Sequence, residues 1–256
     1  MRNHPSNDLP APLDLLWGTR ERKARKEGLS LEAIVKAAVD LADSRGLESL
    51  SMSRVAERLG FTTMSLYRYV QNKDELIALM VEAATSVPAV LDDPPPSWRA
   101  GLERWTWELL KLVRRHPWIL EVPLARLPFG PNRLTWLDRG LRALMETPLS
   151  GHEKANVLLL LNGVVFGEAR LAAEIGGGTP ERGDAGEATP DPAEALATVA
   201  DAERFPALRQ AAIDAGLVDL PTVDRDADFA FGLERILDGI ERLVDQRRGL
   251  PKRAGP

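Results

Sequence analysis

The sequence predicts an all-α protein with a small N-terminal helical domain and a larger C-terminal helical domain. Apolar residues recur at helical spacing along most of the 256 residues, and no segment has the alternation typical of a strand. Aromatic residues make up only 5% of the chain, which favours a helical protein over a sandwich or barrel. The proline-rich stretch "LDDPPPS" at 91–97 is a natural break in the helical pattern.

The composition is that of a globular protein, with 44% hydrophobic and 28% charged residues. The absence of cysteine excludes disulfides, Cys–metal sites and thiol catalysis, and it fits a reducing cytoplasm. The N-terminus lacks the apolar stretch of a signal peptide. The longest apolar run, around Val157–Leu161, is far below the roughly 18 residues that a membrane span needs. We therefore expect a cytoplasmic protein with no membrane association.

The charge is unevenly distributed along the chain. The net charge of −5 alone argues against a nucleic-acid partner, but residues 1–80 carry 12 basic and 11 acidic side chains. A basic cluster consists of Arg20, Arg22, Lys23, Arg25 and Lys26, against only Glu21 and Glu27. Such a local cluster can attract phosphate because electrostatic fields act over about 10 Å at physiological salt. We interpret residues 1–28 as a disordered tail and basic arm, the arm being either a solvated linker or a segment that contacts nucleic acid.

Residues 29–77 predict three short helices followed by the start of a fourth. Ser30 is placed to cap the first helix, which Gly46 ends. A second helix is predicted over Ser53–Leu59 and is stopped by Gly60, and a third over Met64–Val70. Three short helices with a glycine turn between the second and third form a helix-turn-helix, in which the third helix enters the major groove of DNA.

The third helix divides into three faces at about 100° per residue. Leu66 and Val70 lie on a core face, Met64, Ser65 and Arg68 on the opposite face, and Tyr67 and Tyr69 on the two shoulders. The outward face offers a guanidinium for a guanine edge, a hydroxyl, and an apolar tip suited to a thymine methyl.

Further residues around this helix suit contacts to the phosphate backbone. Thr62 and Thr63 stand at the helix start, where free N–H groups favour an anion. The shoulder tyrosines are rigid hydroxyl donors, and Lys73 adds a point charge. An alternative for Tyr67 is packing against the first helix.

The stretch "LSLEAIVKAAVDLADSRGLESLSMSRVAERLGFTTMSLYRYVQNKDELI", 29–77, resembles the DNA-binding domain of the tetracycline-repressor family of bacterial regulators. The resemblance rests on "VAERLGF" and "SLYRYVQNKDEL". It implies base contacts from Thr63, Met64 and Arg68. It also implies phosphate contacts from Ser51, Ser53, Thr62, Ser65, Tyr67, Tyr69 and Lys73. Position 64 is often a small residue or proline in such regulators, so Met64 departs from the family pattern.

The C-terminal domain is expected over residues 78–250, with a mobile loop at 176–190. The segment "HPWILEVPLARLPFGPNRLTWLDRGLRAL", 116–144, is similar to the effector domains of the tetracycline-repressor-like branch. Two long apolar helices, 153–175 and 225–247, could form a four-helix interface with a second copy, or both could line the core of one chain. Gly163 and Gly167 would permit close approach of a partner helix.

An effector pocket in this domain would be mostly apolar with a few polar groups. Candidate lining residues are Trp105, Trp118, Phe129, Trp136, Met145, Asn162 and Phe166, each with plain core packing as the alternative. The three histidines are isolated, so we expect no metal and no cofactor. The glycines of "GGGTPERGD" lack the Lys-Ser/Thr of a phosphate loop.

Together these features predict a homodimeric transcriptional repressor, not an enzyme, that a small-molecule effector releases from a palindromic double-stranded DNA operator. The fourth helix, 73–87, would act as the lever between the domains. Two alternatives from other classes are an enzyme with a DNA-binding-like head and a helical dimerisation protein that binds no DNA.

Overall fold

The computed structural model describes residues 16–17, 29–123, 129–176, 204–214 and 224–249, and within these ranges every regular element is a helix. The all-α prediction is therefore confirmed. The α-helices are α1 Leu31–Arg45, α2 Met52–Leu59, α3 Thr63–Leu66, α4 Lys73–Ala84, α5 Trp98–Arg115, α6 Pro131–Ala143, α7 Gly151–Gly176, α8 Pro206–Asp214 and α9 Arg225–Arg248. Three 3₁₀ turns lie at Leu47–Ser49, Ala89–Leu91 and Pro117–Glu121.

Helices α1 to α3 form the head, and their ends follow the predicted caps. The Ser30 hydroxyl oxygen accepts the N–H of Ala33 at 3.1 Å at the start of α1. Gly46 and Gly60 end α1 and α2 with φ of 76° and 72°, a region that glycine enters without steric cost.

Helix α3 is shorter than the predicted Met64–Val70. After Leu66 the chain tightens, because the N–H of Tyr69 donates to the carbonyl of Leu66 at 2.8 Å, a three-residue closure. Val70 still reaches the core and is fully buried, as is Leu66. The two predicted anchors are thus confirmed although the α-helix spans only Thr63–Leu66.

Helix α4 leads from the head into the C-terminal body. Its first turn carries the predicted capping pair: the Asn72 side-chain oxygen accepts the N–H of Glu75 at 2.8 Å. The Glu75 carboxylate in turn accepts the N–H of Gln71 and is almost completely buried.

Helices α5, α6 and α7 pack together as the core of the body. Helix α7 carries two apolar stripes, each at four-residue spacing, about 200° apart around the helix. Val157, Leu161, Val165 and Ala169 form the buried stripe. Leu159, Gly163, Gly167 and Leu171 form the other, with Leu159 70% and Leu171 52% exposed.

Helix α7 is more apolar than the sequence analysis expected of any segment. Over Gly151–Glu174 it is the one helix in the described ranges that is long and apolar enough to cross a membrane. The sequence expectation underestimated it, because it measured uninterrupted apolar runs rather than the average over a whole helix.

The end of α9 is fixed to the body by ion pairs. Arg99 of α5 binds Asp238 at 2.6 Å and Glu241 at 3.2 Å. Arg247 binds Glu153, at the start of α7, at 2.5 Å.

The chain separates into two compact units, Met1–Gly177 with Ile236–Pro256 and Gly178–Arg235. Within the second unit the structure describes α8 and the first half of α9. The predicted basic arm at 20–26 lies outside the described residues, as does the predicted mobile loop after Gly176.

Candidate nucleic-acid interface

The outward face of α3 and the turn after it consists of exposed side chains. Met64 is 74% exposed and Tyr67 45% exposed, and Arg68 is exposed as well. None of the three has a side-chain partner among the described residues. Leu66 and Val70 anchor the segment in the core, and the outward side chains remain free to contact another molecule.

The start of α3 brings together two hydroxyls of the predicted phosphate-contact set. The side-chain oxygens of Thr62 and Ser65 are 3.0 Å apart. Thr62 makes no cap hydrogen bond with its side chain, so the N–H groups of Thr63 and Met64 remain available to an external acceptor, whereas that of Ser65 donates to the Thr62 carbonyl. Thr63, the first helical residue, is partly exposed.

A second pair of hydroxyls lies at the start of α2. The Ser51 oxygen caps the helix by accepting the N–H of Arg54 at 3.2 Å, and it lies 3.1 Å from the Ser53 oxygen. Ser53 is exposed, as is Lys73 at the first position of α4.

Tyr69, for which a phosphate contact is predicted, has a hydrogen-bond partner inside the head. Its hydroxyl donates to the backbone carbonyl of Leu29 at 3.0 Å, and its ring is partly buried. The proton expected to bind a phosphate is therefore used to hold the residue that precedes α1. The phosphate contacts of Tyr67 and Tyr69 stay predictions: the Tyr67 phenol has no partner among the described residues, whereas the Tyr69 phenol joins this segment to the start of the head.

The contacts that join the head to the body were not predicted from the sequence. One carboxylate oxygen of Asp43, on α1, accepts the indole N–H of Trp118 at 2.7 Å and lies 2.8 Å from Nδ1 of His116. These partners are more than 70 residues apart in the chain. No local periodicity or capping pattern could have paired them.

The tryptophans proposed to line an effector pocket are hydrogen-bonded core residues in this structure. Trp105 donates its indole N–H to the carbonyl of Trp136 at 2.9 Å, and the two rings meet edge to face at 6.0 Å. Trp136 donates to the carbonyl of Thr85 at 2.9 Å. Trp105, Trp118 and Trp136 are all at least 95% buried.

The other proposed lining residues are dispersed. Phe129 is 51% exposed under the guanidinium of Arg133, and Met145 is 63% exposed. The amide of Asn162 donates to the carbonyl of Leu158 on its own helix at 2.9 Å, and Phe166 is partly buried. The described residues thus bring Trp105 and Trp136 together but do not collect the whole set around one space.

A cavity lies elsewhere, between α1, α4 and α5. It encloses about 840 Å³ and has none of the predicted pocket residues in its wall. A second cavity of about 410 Å³ lies beside the end of α1 and includes Trp118 and Arg170.

Comparison with known families identifies both halves of the molecule. The family model described as "Bacterial regulatory proteins, tetR family" matches residues 34–80, which contain α2, α3 and most of α1 and α4. The model described as "Tetracyclin repressor-like, C-terminal domain" matches residues 91–244. The chain belongs to the tetracycline-repressor family of bacterial regulators. It is a DNA-binding transcriptional regulator and not an enzyme, so the family resemblance is confirmed and the two alternative classes are set aside.

Two relatives align with most of the chain. It is 40% identical over 255 residues to the HTH-type transcriptional repressor DrrR1 of Streptomyces coeruleorubidus, covering 95% of this chain and 90% of that protein. It is 30% identical over 224 residues to the class A tetracycline repressor protein from transposon 1721 of Escherichia coli, covering 84% and 93%.

Solved structures show the same fold. ActR of Streptomyces coelicolor without ligand has a TM-score of 0.68 at 25% identity, covering 87% of this chain and 99% of that one. ActR in complex with actinorhodin has a TM-score of 0.66 at 26% identity, covering 84% and 98%.

Proposed function

We propose that this regulator is a cytoplasmic homodimeric repressor that binds a palindromic DNA operator and is released from it by a small-molecule effector. The observation that carries the proposal is the face formed by Met64, Tyr67 and Arg68. It presents an apolar tip, a phenol and a guanidinium without partners in the described part of the head, above two fully buried anchors. No internal contacts of these side chains have to be broken when the face enters a major groove.

The exposed stripe of α7 supports assembly into a dimer. An added Cβ at Gly163 or Gly167 would meet nothing within 4 Å, so the backbone of α7 is open to a partner helix. Leu159 and Leu171 flank the two glycines and are more than half exposed. Covering this stripe with the same stripe of a second copy removes the leucines from water and places two recognition helices on one duplex, about 34 Å apart.

A membrane could also cover an apolar helix, but α7 suits a protein partner better. Glu168 and Arg170 lie beside the glycine stripe. Arg170 is exposed, and its guanidinium donates one hydrogen bond to the carbonyl of Leu120 at 3.1 Å. Charged groups within a lipid-facing helix are costly. The opposite side of α7 is in addition committed to the core of the body through Leu161 and Val165.

The relatives support the repressor and effector parts of the proposal. DrrR1 and the class A tetracycline repressor are named as repressors, and ActR has been solved with actinorhodin bound. An effector releases DNA only if it binds the DNA-free geometry more tightly than the DNA-bound one. Helix α4 is the continuous segment between head and body, and we propose that it transmits this difference.

The test is a selection of duplexes from a random-sequence pool by the purified full-length protein, followed by fluorescence anisotropy on the selected site. We expect a palindromic sequence bound by two chains. Arg68→Ala should weaken binding by about 1–3 kcal/mol and relax the preference at one base position in each half-site. Lys73→Ala should weaken binding to all duplexes and reduce the salt slope by about one.

Arg142→Ala is the matched control, because Arg142 is an exposed arginine on α6 of the body. It removes the same charge and should leave the affinity for the selected duplex unchanged. The proposal fails if no sequence is enriched by the wild-type protein, or if Arg68→Ala and Arg142→Ala behave alike.

A further inference from the structure

The cavity of about 840 Å³ lies between the head and the body of the same compact unit. Its floor is apolar and comes from three helices: Val35 of α1, Leu79 of α4 and Leu112 of α5, each more than 90% buried. A volume of this size accommodates a drug-sized molecule, and an apolar floor with a few polar groups is typical of small-molecule sites.

Three cationic side chains lie at the rim of the cavity, and two of them form ion pairs with carboxylates. Lys36 binds Asp40 at 2.8 Å, and Lys111 binds Glu108 at 2.8 Å. Arg115, at the end of α5, is exposed and has no carboxylate partner among the described residues. A guanidinium in this state offers paired donors to an anionic group of a ligand whose apolar part lies on the floor.

The walls of the cavity belong to parts that must move relative to each other if the head responds to the body. Val35 and Lys36 are on the first helix of the head, whereas Lys111 and Arg115 are on α5 of the body. Between them, Glu82 of α4 holds the start of α6. Its carboxylate accepts the N–H of Asn132 at 2.6 Å, and its carbonyl accepts the Asn132 amide at 2.8 Å.

We propose that this cleft is a binding site for an amphipathic small molecule with an apolar body and one anionic group, and that its occupation alters the affinity of the head for DNA. The proposal rests on the proposed repressor function and locates an effector site at the junction of head and body. It is separate from the buried Trp105–Trp136 pair, which does not border the cleft. A ligand that contacts both walls has a different affinity for each head orientation, and that difference is what couples two sites.

The experiment is a fluorescence titration of the full-length protein with 1-anilinonaphthalene-8-sulfonate, which has an apolar ring system and one sulfonate. We expect saturable binding with one molecule per chain. Ala83→Trp places an indole in the cleft from an exposed position of α4 and should abolish this binding. Arg115→Gln should weaken it about tenfold, the loss expected for one charge-assisted hydrogen bond.

The matched control is Ala173→Trp, which introduces the same indole into the other cavity, of about 410 Å³, from an exposed position of α7. It should leave the titration unchanged. Ser86→Trp fills the cleft from a second exposed position, so the test survives if Ala83→Trp fails to fold. Equal binding by wild type and by the folded cleft-filling variants would overturn the proposed site.

Coupling to DNA is measured by repeating the titration in the presence of the selected duplex. The duplex should change the affinity for the probe, and the probe should change the affinity for the duplex by the same factor. Identical titrations with and without duplex would overturn the regulatory part of the proposal. If no duplex is selected at all, the proposed repressor function fails, while the cleft variants still decide whether the site exists.

Discussion

Asp43 of α1 accepts the indole N–H of Trp118 at 2.7 Å, and this hydrogen bond joins the head of the regulator to its body. Trp118 is 99% buried, and Asp43 supplies the carboxylate acceptor for its N–H at the edge of the cavity of about 410 Å³. The same carboxylate oxygen lies 2.8 Å from His116, whose ring meets that of Trp118 edge to face at 6.2 Å.

We therefore expect Asp43→Ala to lower the free energy of unfolding by about 1–3 kcal/mol, the usual contribution of a hydrogen bond to a charged group. Asp43→Asn keeps an oxygen acceptor in place and should cost less. Urea unfolding followed by circular dichroism measures both variants. Equal losses for the two would show that the charge on Asp43, rather than its acceptor oxygen, is what stabilises this junction.

The two tyrosines after α3 should separate stability from DNA binding. Tyr69→Phe removes the donor to the Leu29 carbonyl and should lower the free energy of unfolding by about 1 kcal/mol. Tyr67→Phe removes an exposed hydroxyl and should weaken binding to all duplexes without changing the unfolding curve. Each variant is the control of the other, and the reverse pattern would contradict the roles assigned to them.

These two tyrosines also show how far the sequence could predict the site. Periodicity and capping rules act over a few residues, which is why Gly46, Gly60 and the anchors Leu66 and Val70 were predicted correctly. The partner of Tyr69 is 40 residues away in the chain. A helical wheel places Tyr67 and Tyr69 on equivalent shoulders and cannot tell which phenol finds a backbone acceptor.

The same limit applies to the body. Aromatic residues at helical spacing fit a core and a pocket equally well, so the sequence could not predict that Trp105 donates a hydrogen bond to the carbonyl of Trp136. The cleft between α1, α4 and α5 depends on how three helices of different sequence regions pack, and local pattern contains no information on that.

Gly130 is expected to be intolerant of a side chain because of Glu82. A Cβ at this position would collide with the Glu82 carboxylate that caps α6. Burial raises the pKa of this carboxyl, while the N–H groups of Asn132 and Arg133 oppose that rise. Gly130→Ala should displace the carboxylate and lower the free energy of unfolding by about 1 kcal/mol, the usual value of a lost helix cap.

A double-mutant cycle tests this explanation. Glu82→Ala removes the cap directly, so Gly130→Ala should cost little more when it is added to Glu82→Ala. Urea unfolding of the two single variants and the double variant gives the coupling. Additive losses would show that Gly130 matters for its own backbone rather than for the position of Glu82.

Glu153 should make the fold sensitive to acid. Hydrogen bonds from the Ser150 backbone, the Arg247 side chain and the Ser150 hydroxyl lower the pKa of Glu153 from 4.5 to about 2. Because the folded-state pKa is the lower one, the stabilisation is complete above pH 4.5 and is lost as the pH falls towards 2. The difference in unfolding free energy between wild type and Glu153→Gln should therefore be largest near pH 6 and shrink in this window.

The control for this titration is Glu103→Gln, on the exposed side of α5, where no hydrogen-bond partner is found among the described residues. Its unfolding free energy should follow that of wild type at every pH. A constant difference between wild type and Glu153→Gln from pH 6 to pH 2.5 would contradict the role given to the Arg247 pair.

The exposed stripe of α7 leads to a prediction about assembly. Leu159→Glu and Leu171→Glu place carboxylates at two exposed positions that flank Gly163 and Gly167. Neither leucine belongs to the core of its own chain, so the monomer should keep its helical content and its unfolding cooperativity. Like charges buried against each other at a two-fold interface are strongly unfavourable, and the double variant should therefore sediment as a monomer.

Met145→Glu is the matched control, since Met145 is a large apolar residue, 63% exposed, that precedes α7 and lies outside its glycine stripe. Sedimentation velocity should give a dimer for wild type and for this control. The monomeric stripe variant should also lose most of its affinity for the selected duplex, because two half-sites then have to be occupied by unlinked heads. A stripe variant that remains dimeric would place the interface on another surface and leave Leu159 and Leu171 to be explained by a different apolar partner.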